Sequence, residues 1–402
     1  MQIENNYYND EKIFQKIFLK ATVVVYFKNY NIPAAAKQLK KKGYKTMKPE
    51  EKQLFKSLCN FKAERFDEEL LKFATPAVLG HIFFNRMQAI AYGTLCKHGL
   101  LGKVNREFRN SLRGAYEQNV EKNNSFYWCI QYLNEVLSKC NCKYAMLKGA
   151  YLCHYYPKGY RTSSDIDLLV KPEDVTQIGN ALTVAGFKQG NVRNGNFIPA
   201  TRKEIIESKM LRGETVPYIK ELNFPNMKYL EVDINFSLDY KSSSTDVLES
   251  MLEKASKREI RGADVMTLDE SDFFIHLCAH LYKEASTLPW VEMMRDMTLY
   301  KYCDIYLLLE DMTMPRLEKI FVRATELGME KECAFAILQT AELFDITNKI
   351  VVDMALSVLI NDSDFIHRVI DPKENKTYIF TEKNIFERFF ADSRKDLLKE
   401  EI

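Results

Sequence analysis

The sequence predicts an α+β fold, a small mixed β-sheet core flanked by N- and C-terminal helical regions. Three observations carry this expectation. The first ~140 residues repeat apolar positions at helical spacing with few glycines. From Lys143 to Leu238 the texture turns to short apolar runs punctuated by Gly and Pro. After Leu268 the helical spacing returns. The expected divisions are therefore residues 1–140, 141–268 and 269–402.

Lys12 to Lys28 carries Ile13, Ile17, Phe18, Ala21 and Val24 on one helical face, and Asn31-Ile32-Pro33 breaks it. Ala34 to Lys42 reads as a short basic helix ended by Gly43. The run Lys37 to Lys48 holds six lysines. No aromatic stacking pattern accompanies them, so they read as a solvated helix end and not a nucleic-acid contact. Pro49 to Cys59 opens with Glu50 and Glu51, where acids suit the helix dipole. Thr75 to His98 and Arg106 to Lys139 continue the helical rhythm.

In the middle region Tyr144 to Leu147 reads as a strand stopped by Gly149, and Asp165 to Val170 as a second strand. Pro172-Glu173-Asp174 starts a helix that Gly186 closes. Thr215 to Phe224 and Met227 to Leu238 read as a hairpin joined at Pro225-Asn226. Helices follow over Asp269–Ala285, Arg295–Glu310, Met314–Leu327 (capped by Gly328) and Lys331–Leu343. The tail from Asn361 to Ile402 is polar and patternless, and no fixed-period repeat argues for a solenoid.

Composition narrows the function classes. Apolar residues at 46% and charged residues at 28% fit a globular chain and argue against disorder. Lys and Arg total 57 against 55 Asp and Glu, a net charge of +2, so dedicated DNA binding is not expected. The sequence holds no run of 18 apolar residues, and its first residues lack signal-peptide order, so no membrane association is expected. Nine cysteines, an odd number, fit reduced thiols in a cytoplasmic protein. Cys140-Asn141-Cys142 lacks a second pair at zinc spacing, which favours packing over metal binding.

The chemistry-bearing residues concentrate between Lys148 and Asp167. In a strand, Asp165 and Asp167 project from one face, while Ile166, Leu168 and Val170 turn to the other. Paired carboxylates repel unless a cation lies between them, and hard oxygen ligands suit Mg²⁺. Upstream, Gly149-Ala150 forms a small-residue turn into a helix, where backbone N–H groups favour phosphate. Downstream, Glu231, Asp233 and Asn235 share one strand face. A phosphate cradle, an acidic pair and a third acid are the parts of a two-metal phosphoryl transferase. Arg161 and Lys148 are candidate phosphate partners, or else ion pairs for the acids. Ser163 and Ser164 are phosphate donors or turn residues. His276 and His280 share a helix face, but Leu277 stands where a zinc protease needs Glu, so they read as a packed or substrate-facing pair. Cys153 and His154 are adjacent on a helix and point apart, which rules against a catalytic dyad.

Leu147-Lys-Gly-Ala-Tyr-Leu152, Tyr156-Pro-Lys-Gly-Tyr-Arg161 and Asp165-Ile-Asp-Leu-Leu-Val170 together resemble the signature of the uncharacterised nucleotidyltransferase family. That family lies in the DNA-polymerase-β-like nucleotidyltransferase superfamily. The resemblance covers Lys143 to Leu238, with a less specific likeness from His276 to Leu309. It makes Gly149 the turn glycine, with Ala150 where the superfamily has Gly or Ser. Asp165 and Asp167 become the metal-binding pair. Glu231 takes the third acid by register, while Asp233, where the family often has His, is a second candidate.

The resemblance implies transfer of a nucleoside monophosphate from an NTP, ATP among them, to an unknown acceptor by two-metal catalysis. The acceptor class stays open among small molecule, sugar, protein and RNA. The implied catalytic residues are Asp165, Asp167, Glu231 and Asp233. Lys148, Gly149, Ala150, Arg161 and Ser164 would bind nucleotide, and Asp165, Asp167 and Glu231 would hold Mg²⁺ or Mn²⁺. The alternative is a degenerate relative that binds nucleotide or protein without reacting. A third reading, a helical interaction protein with an accidental Asp-x-Asp, does not explain the ordered motifs.

Overall fold

The computed structural model describes residues 47–161, 163–238, 245–346 and 348–401. The helices expected over Lys12–Lys28 and Ala34–Lys42, with most of the basic run, lie outside the described residues. The chain forms two compact units. The first takes residues 1–117, 284–306 and 334–402, and the second takes 118–283 and 307–333. The core expected over residues 141–268 falls wholly within the second unit. Among the described residues, no helix is long and apolar enough to cross a membrane.

The first unit is mainly helical. Pro49–Cys59 starts with Pro and two acids in its first turn, as the sequence predicts. The segment from Thr75 to His98 is not one helix but two, Pro76–Phe84 and Gln88–Lys97. Arg86 adopts φ 57, a left-handed value that ends the first helix. The Met87 N–H closes that end on the Ile82 carbonyl at 2.9 Å. The patternless tail folds into a three-stranded antiparallel sheet of Arg368–Asp371, Lys376–Phe380 and Leu398–Glu400. Within this unit Arg394 grips Asp296, its Nε at 2.8 Å from both carboxylate oxygens and its Nη2 at 2.6 Å from Oδ1.

The second unit holds a mixed sheet of six strands: β1 Tyr144–Met146, β2 Asp165–Val170, β3 Lys188–Arg193, β4 Asn196–Pro199, β5 Tyr218–Phe224 and β6 Met227–Asn235. Their order is β1-β2-β6-β5-β3-β4, with β2 and β6 parallel and the other neighbours antiparallel. The predicted β5–β6 hairpin forms at Pro225-Asn226, Asn226 taking φ 58. The β3–β4 hairpin was not expected. It turns on Asn194 and Gly195, both at positive φ (51° and 74°), the two-residue geometry that matches strand twist. A separate pair, β7 Ser256–Ile260 and β8 Ala263–Thr267, turns on Arg261 and Gly262 in the same way.

Period-two patterning sorts the side chains of the two central strands. Ile166, Leu168 and Val170 of β2 join Leu230, Val232 and Ile234 of β6 in one buried cluster. Phe126, Ile130, Leu133 and Leu137 from the helix Arg106–Leu137, and Ile178 and Leu182 from the helix Val175–Val184, complete it. These spacings are the helical ones, so each helix lays an apolar stripe on this face. Full burial of each such side chain contributes about 1.5–3 kcal/mol, so this face fixes the register of β2 against β6. The odd-numbered residues of both strands are thereby committed to the other face.

Candidate active site

The register that buries Ile166 and Val232 pairs Asp165 with Glu231 and Asp167 with Asp233, on adjacent parallel strands. Four acids thus share the face away from the apolar cluster. The charges of Asp167, Glu231, Asp165 and Glu214 all act on Asp233. Burial, and then those charges in that order, push the Asp233 carboxyl well above the usual carboxylate range. Glu214, which bridges to Asn235 beside β6, is an acid the sequence reading missed.

This crowding has a measurable consequence. The folded chain holds the Asp233 proton more tightly than the unfolded chain does. Stability therefore falls as pH rises from the unfolded carboxyl value, about 3.9, through the raised folded value. Asp233→Asn is expected to remove that fall and to raise the melting temperature at neutral pH by on the order of a few degrees. Thermal melts of both proteins between pH 4 and 8 check it, and parallel curves would refute the crowding.

The Lys148 ammonium lies 2.8 Å from Asp167 Oδ1, and both side chains are largely buried. Among the described residues, no three of His, Cys, Asp and Glu converge as a ready-made metal cluster. The resident cation on Asp167 is a lysine. The donor set nevertheless fits a hard divalent ion: every acid offers oxygen, and Lys148 marks a position where Asp167 already accepts positive charge. Lys148 itself has φ 45 and ψ −114, a conformation that costs an L-residue free energy and collects at functional sites.

Gly149 opens a short helix, Gly149–Leu152, directly after β1. A Cβ at Gly149 would stand 2.5 Å from Ser163 Oγ and 2.9 Å from Arg161 Nη1. Space, not backbone angle, therefore requires glycine here. Arg161 is buried and donates from Nη1 to Ser163 Oγ at 2.5 Å. The turn, Arg161 and Ser163 thus meet at one place. Ala150 is fully buried, and its N–H donates to the Leu147 carbonyl at 3.2 Å. Gly149→Val is expected to drive Arg161 and Ser163 from the turn and to weaken NTP binding about tenfold or more. Calorimetric titration with an NTP measures this, and an unchanged affinity in a folded variant would remove Arg161 from the site.

The segment entering β2 is held by a helix face that sequence reasoning passed over. Asn119 Nδ2 donates to the Gly159 carbonyl at 2.6 Å and Asn123 Nδ2 to the Arg161 carbonyl at 3.0 Å. Between them, Lys122 Nζ donates to Ser164 Oγ at 2.6 Å. The readable signal was Asn119 and Asn123, two amides one turn apart on a helix whose neighbours face the core.

His276 lies on the helix Glu270–Ala285, whose Phe273 packs edge-on against Tyr151 at 4.6 Å between ring centres. The sequence pairs His276 with His280, and their rings stand 6.3 Å apart. Both His276 ring nitrogens are buried without a hydrogen-bond partner.

Residues 75–345, about two thirds of the 402, match the model of a family described as uncharacterised nucleotidyltransferase. The chain belongs to that family. The match takes in every acid, the Gly149 turn and the Glu270–Ala285 helix of this nucleotidyltransferase relative. Among solved structures, an antigenic nucleotidyltransferase-like protein from Paracoccidioides brasiliensis is similar at 14% identity and a TM-score of 0.32. That similarity covers 59% of this chain and 88% of the other. No curated protein matches the chain.

Proposed function

We propose that this nucleotidyltransferase-family protein transfers a nucleoside monophosphate from an NTP to an acceptor, with Mg²⁺ or Mn²⁺. The observation that carries the reading is the pairing of Asp165 with Glu231 and Asp167 with Asp233 on adjacent parallel strands. Asp165, Asp167 and one acid of β6 hold the divalent ion, which supplies charge stabilisation at the α-phosphate. The acceptor oxygen bonds to the α-phosphorus, the bond to the β-phosphate oxygen breaks, and pyrophosphate leaves. Asp233, paired with Asp167 on the acidic face, is the candidate base for the acceptor proton. Arg161 and Ser163, packed on Gly149, face the transferring phosphates and hold them in line. Lys122 and Ser164 fix the entry to β2 so that Asp165 keeps its place.

The presence of all three carboxylate positions, Asp165, Asp167 and an acid of β6, favours an active enzyme. Ala150 favours a binding module instead, because a buried methyl replaces a hydroxyl donor. The test incubates pure protein and Mg²⁺ or Mn²⁺ with each NTP labelled at the α-phosphate, in the presence of cell extract. The enzyme labels one extract component and releases pyrophosphate. Tight NTP binding with no labelled species, across all four NTPs, leaves the binding module.

A further inference from the structure

Between the helix Gly149–Leu152 and β2 the described residues form neither helix nor strand. This stretch carries Arg161, whose buried guanidinium bonds Ser163 beside the Gly149 turn. A segment with only local turns takes its position from the elements it touches. Three side chains reach it from outside. Arg261 Nη2 donates to the Tyr156 carbonyl at 3.3 Å, Asn119 Nδ2 to the Gly159 carbonyl at 2.6 Å and Asn123 Nδ2 to the Arg161 carbonyl at 3.0 Å.

We propose that Arg261, Asn119 and Asn123 are positioning residues that suspend the Tyr156–Arg161 segment as a phosphate-binding arm, and so set where the Arg161 guanidinium meets the triphosphate. The inference rests on the nucleotide site proposed above and adds to it the parts that hold its arginine.

Three observations support it. Every anchor takes a backbone carbonyl, so the suspension fixes the path of the chain and leaves the side chains of the arm for a ligand. Next, Asn119 and Asn123 are each 5% exposed, and Asn119 Oδ1 is buried without a partner. An unpaired buried acceptor is destabilising, and an apolar side chain would avoid it, so the position serves the amide donor. Last, Arg261 is itself held in place. It occupies the turn between β7 and β8 at φ 49, a left-handed value that favours Asn or Gly. Its guanidinium lies 5.2 Å from the centre of the Tyr127 ring, and Gln131 Nε2 donates to the adjoining Gly262 carbonyl at 3.1 Å. Asn119, Asn123, Tyr127 and Gln131 follow one another at four-residue steps on the helix Arg106–Leu137, so one side of that helix carries the whole suspension.

The test uses the full chain with Mg²⁺ and inorganic tripolyphosphate, which has the phosphates of an NTP without base or sugar. Titration calorimetry gives the affinity of wild type, Asn119→Leu, Asn123→Leu and Arg261→Met, each also in an Arg161→Met background. Leu keeps the volume of Asn and Met keeps the stem of Arg, so each substitution removes a donor and little packing. The two Asn variants are expected to bind about tenfold more weakly, and Arg261→Met, the anchor furthest from Arg161 along the arm, about threefold. In the Arg161→Met background each substitution is expected to change affinity by less than about twofold, because the positioned group is gone. Anchors that serve folding alone would lower the melting temperature in both backgrounds and leave affinity unchanged, which overturns the proposal. Losses that add in full to that of Arg161→Met overturn it too. If the Asn variants do not fold, Arg261→Met decides by the same comparison, since Arg261 is exposed on its turn. Tripolyphosphate binding without coupling to Arg161 defeats this inference alone, while wild type that binds neither tripolyphosphate nor any NTP defeats the nucleotide site and the inference together.

Discussion

Asp165→Asn and Asp167→Asn are each expected to lower nucleotidyl transfer by roughly a hundred- to a thousandfold, with NTP binding changed far less. Asn keeps the shape of Asp and removes one charge from a site that must neutralise a triphosphate. The ion that these acids would hold in the proposed reaction would stabilise charge that builds only in the transition state, so the loss is expected to fall on turnover. The two variants separate on stability. Asp165 is exposed at the start of β2 and its charge is one of those crowding Asp233, so its neutralisation is expected to hold or slightly raise stability. Asp167→Asn removes the carboxylate that lies 2.8 Å from the Lys148 ammonium, so it is expected to melt below Asp165→Asn. Initial rates and thermal melts on the same preparations check both parts. Equal turnover by wild type and Asp167→Asn would take the acids of β2 out of the reaction.

Arg394→Met is expected to destabilise the first unit by about 3–5 kcal/mol. Asp296 is 0% exposed and Arg394 2% exposed, and the guanidinium reaches both carboxylate oxygens. Replacing the arginine strands a buried carboxylate, which is far worse than replacing both partners. The double variant Arg394→Met with Asp296→Leu should therefore recover most of the loss. Denaturant midpoints for the transition of that unit measure this. A single variant that loses less than about 1 kcal/mol would mean that water reaches Asp296 and satisfies it.

The sheet was legible wherever one period dominated. Asp165-Ile-Asp-Leu-Leu-Val170 and Glu231-Val-Asp-Ile-Asn235 alternate so cleanly that the acid face followed from the sequence, and the register bears it out. The β3–β4 hairpin escaped because Lys188–Arg193 has few apolar residues, although Asn194-Gly195 was a turn signal in plain view. The tail escaped for a different reason. Its strands pair with each other, and its two buried arginines, Arg388 and Arg394, read as surface residues until their partners are known. Within the site, the acids, Gly149 and Arg161 carried recognisable motifs. The contacts that support them did not, because Lys122 meets Ser164 across 42 residues. Side chains that act through a fold contact leave no local spacing to read.

Crystals grown with Mn²⁺ and a non-hydrolysable NTP test the acidic site most directly, through the anomalous signal of the metal. The expected result is a Mn²⁺ peak bound by Asp165, Asp167 and an acid of β6, with the triphosphate against Gly149 and Arg161. A Mn²⁺ peak remote from these carboxylates, or a nucleotide bound away from the Gly149 turn, would contradict it.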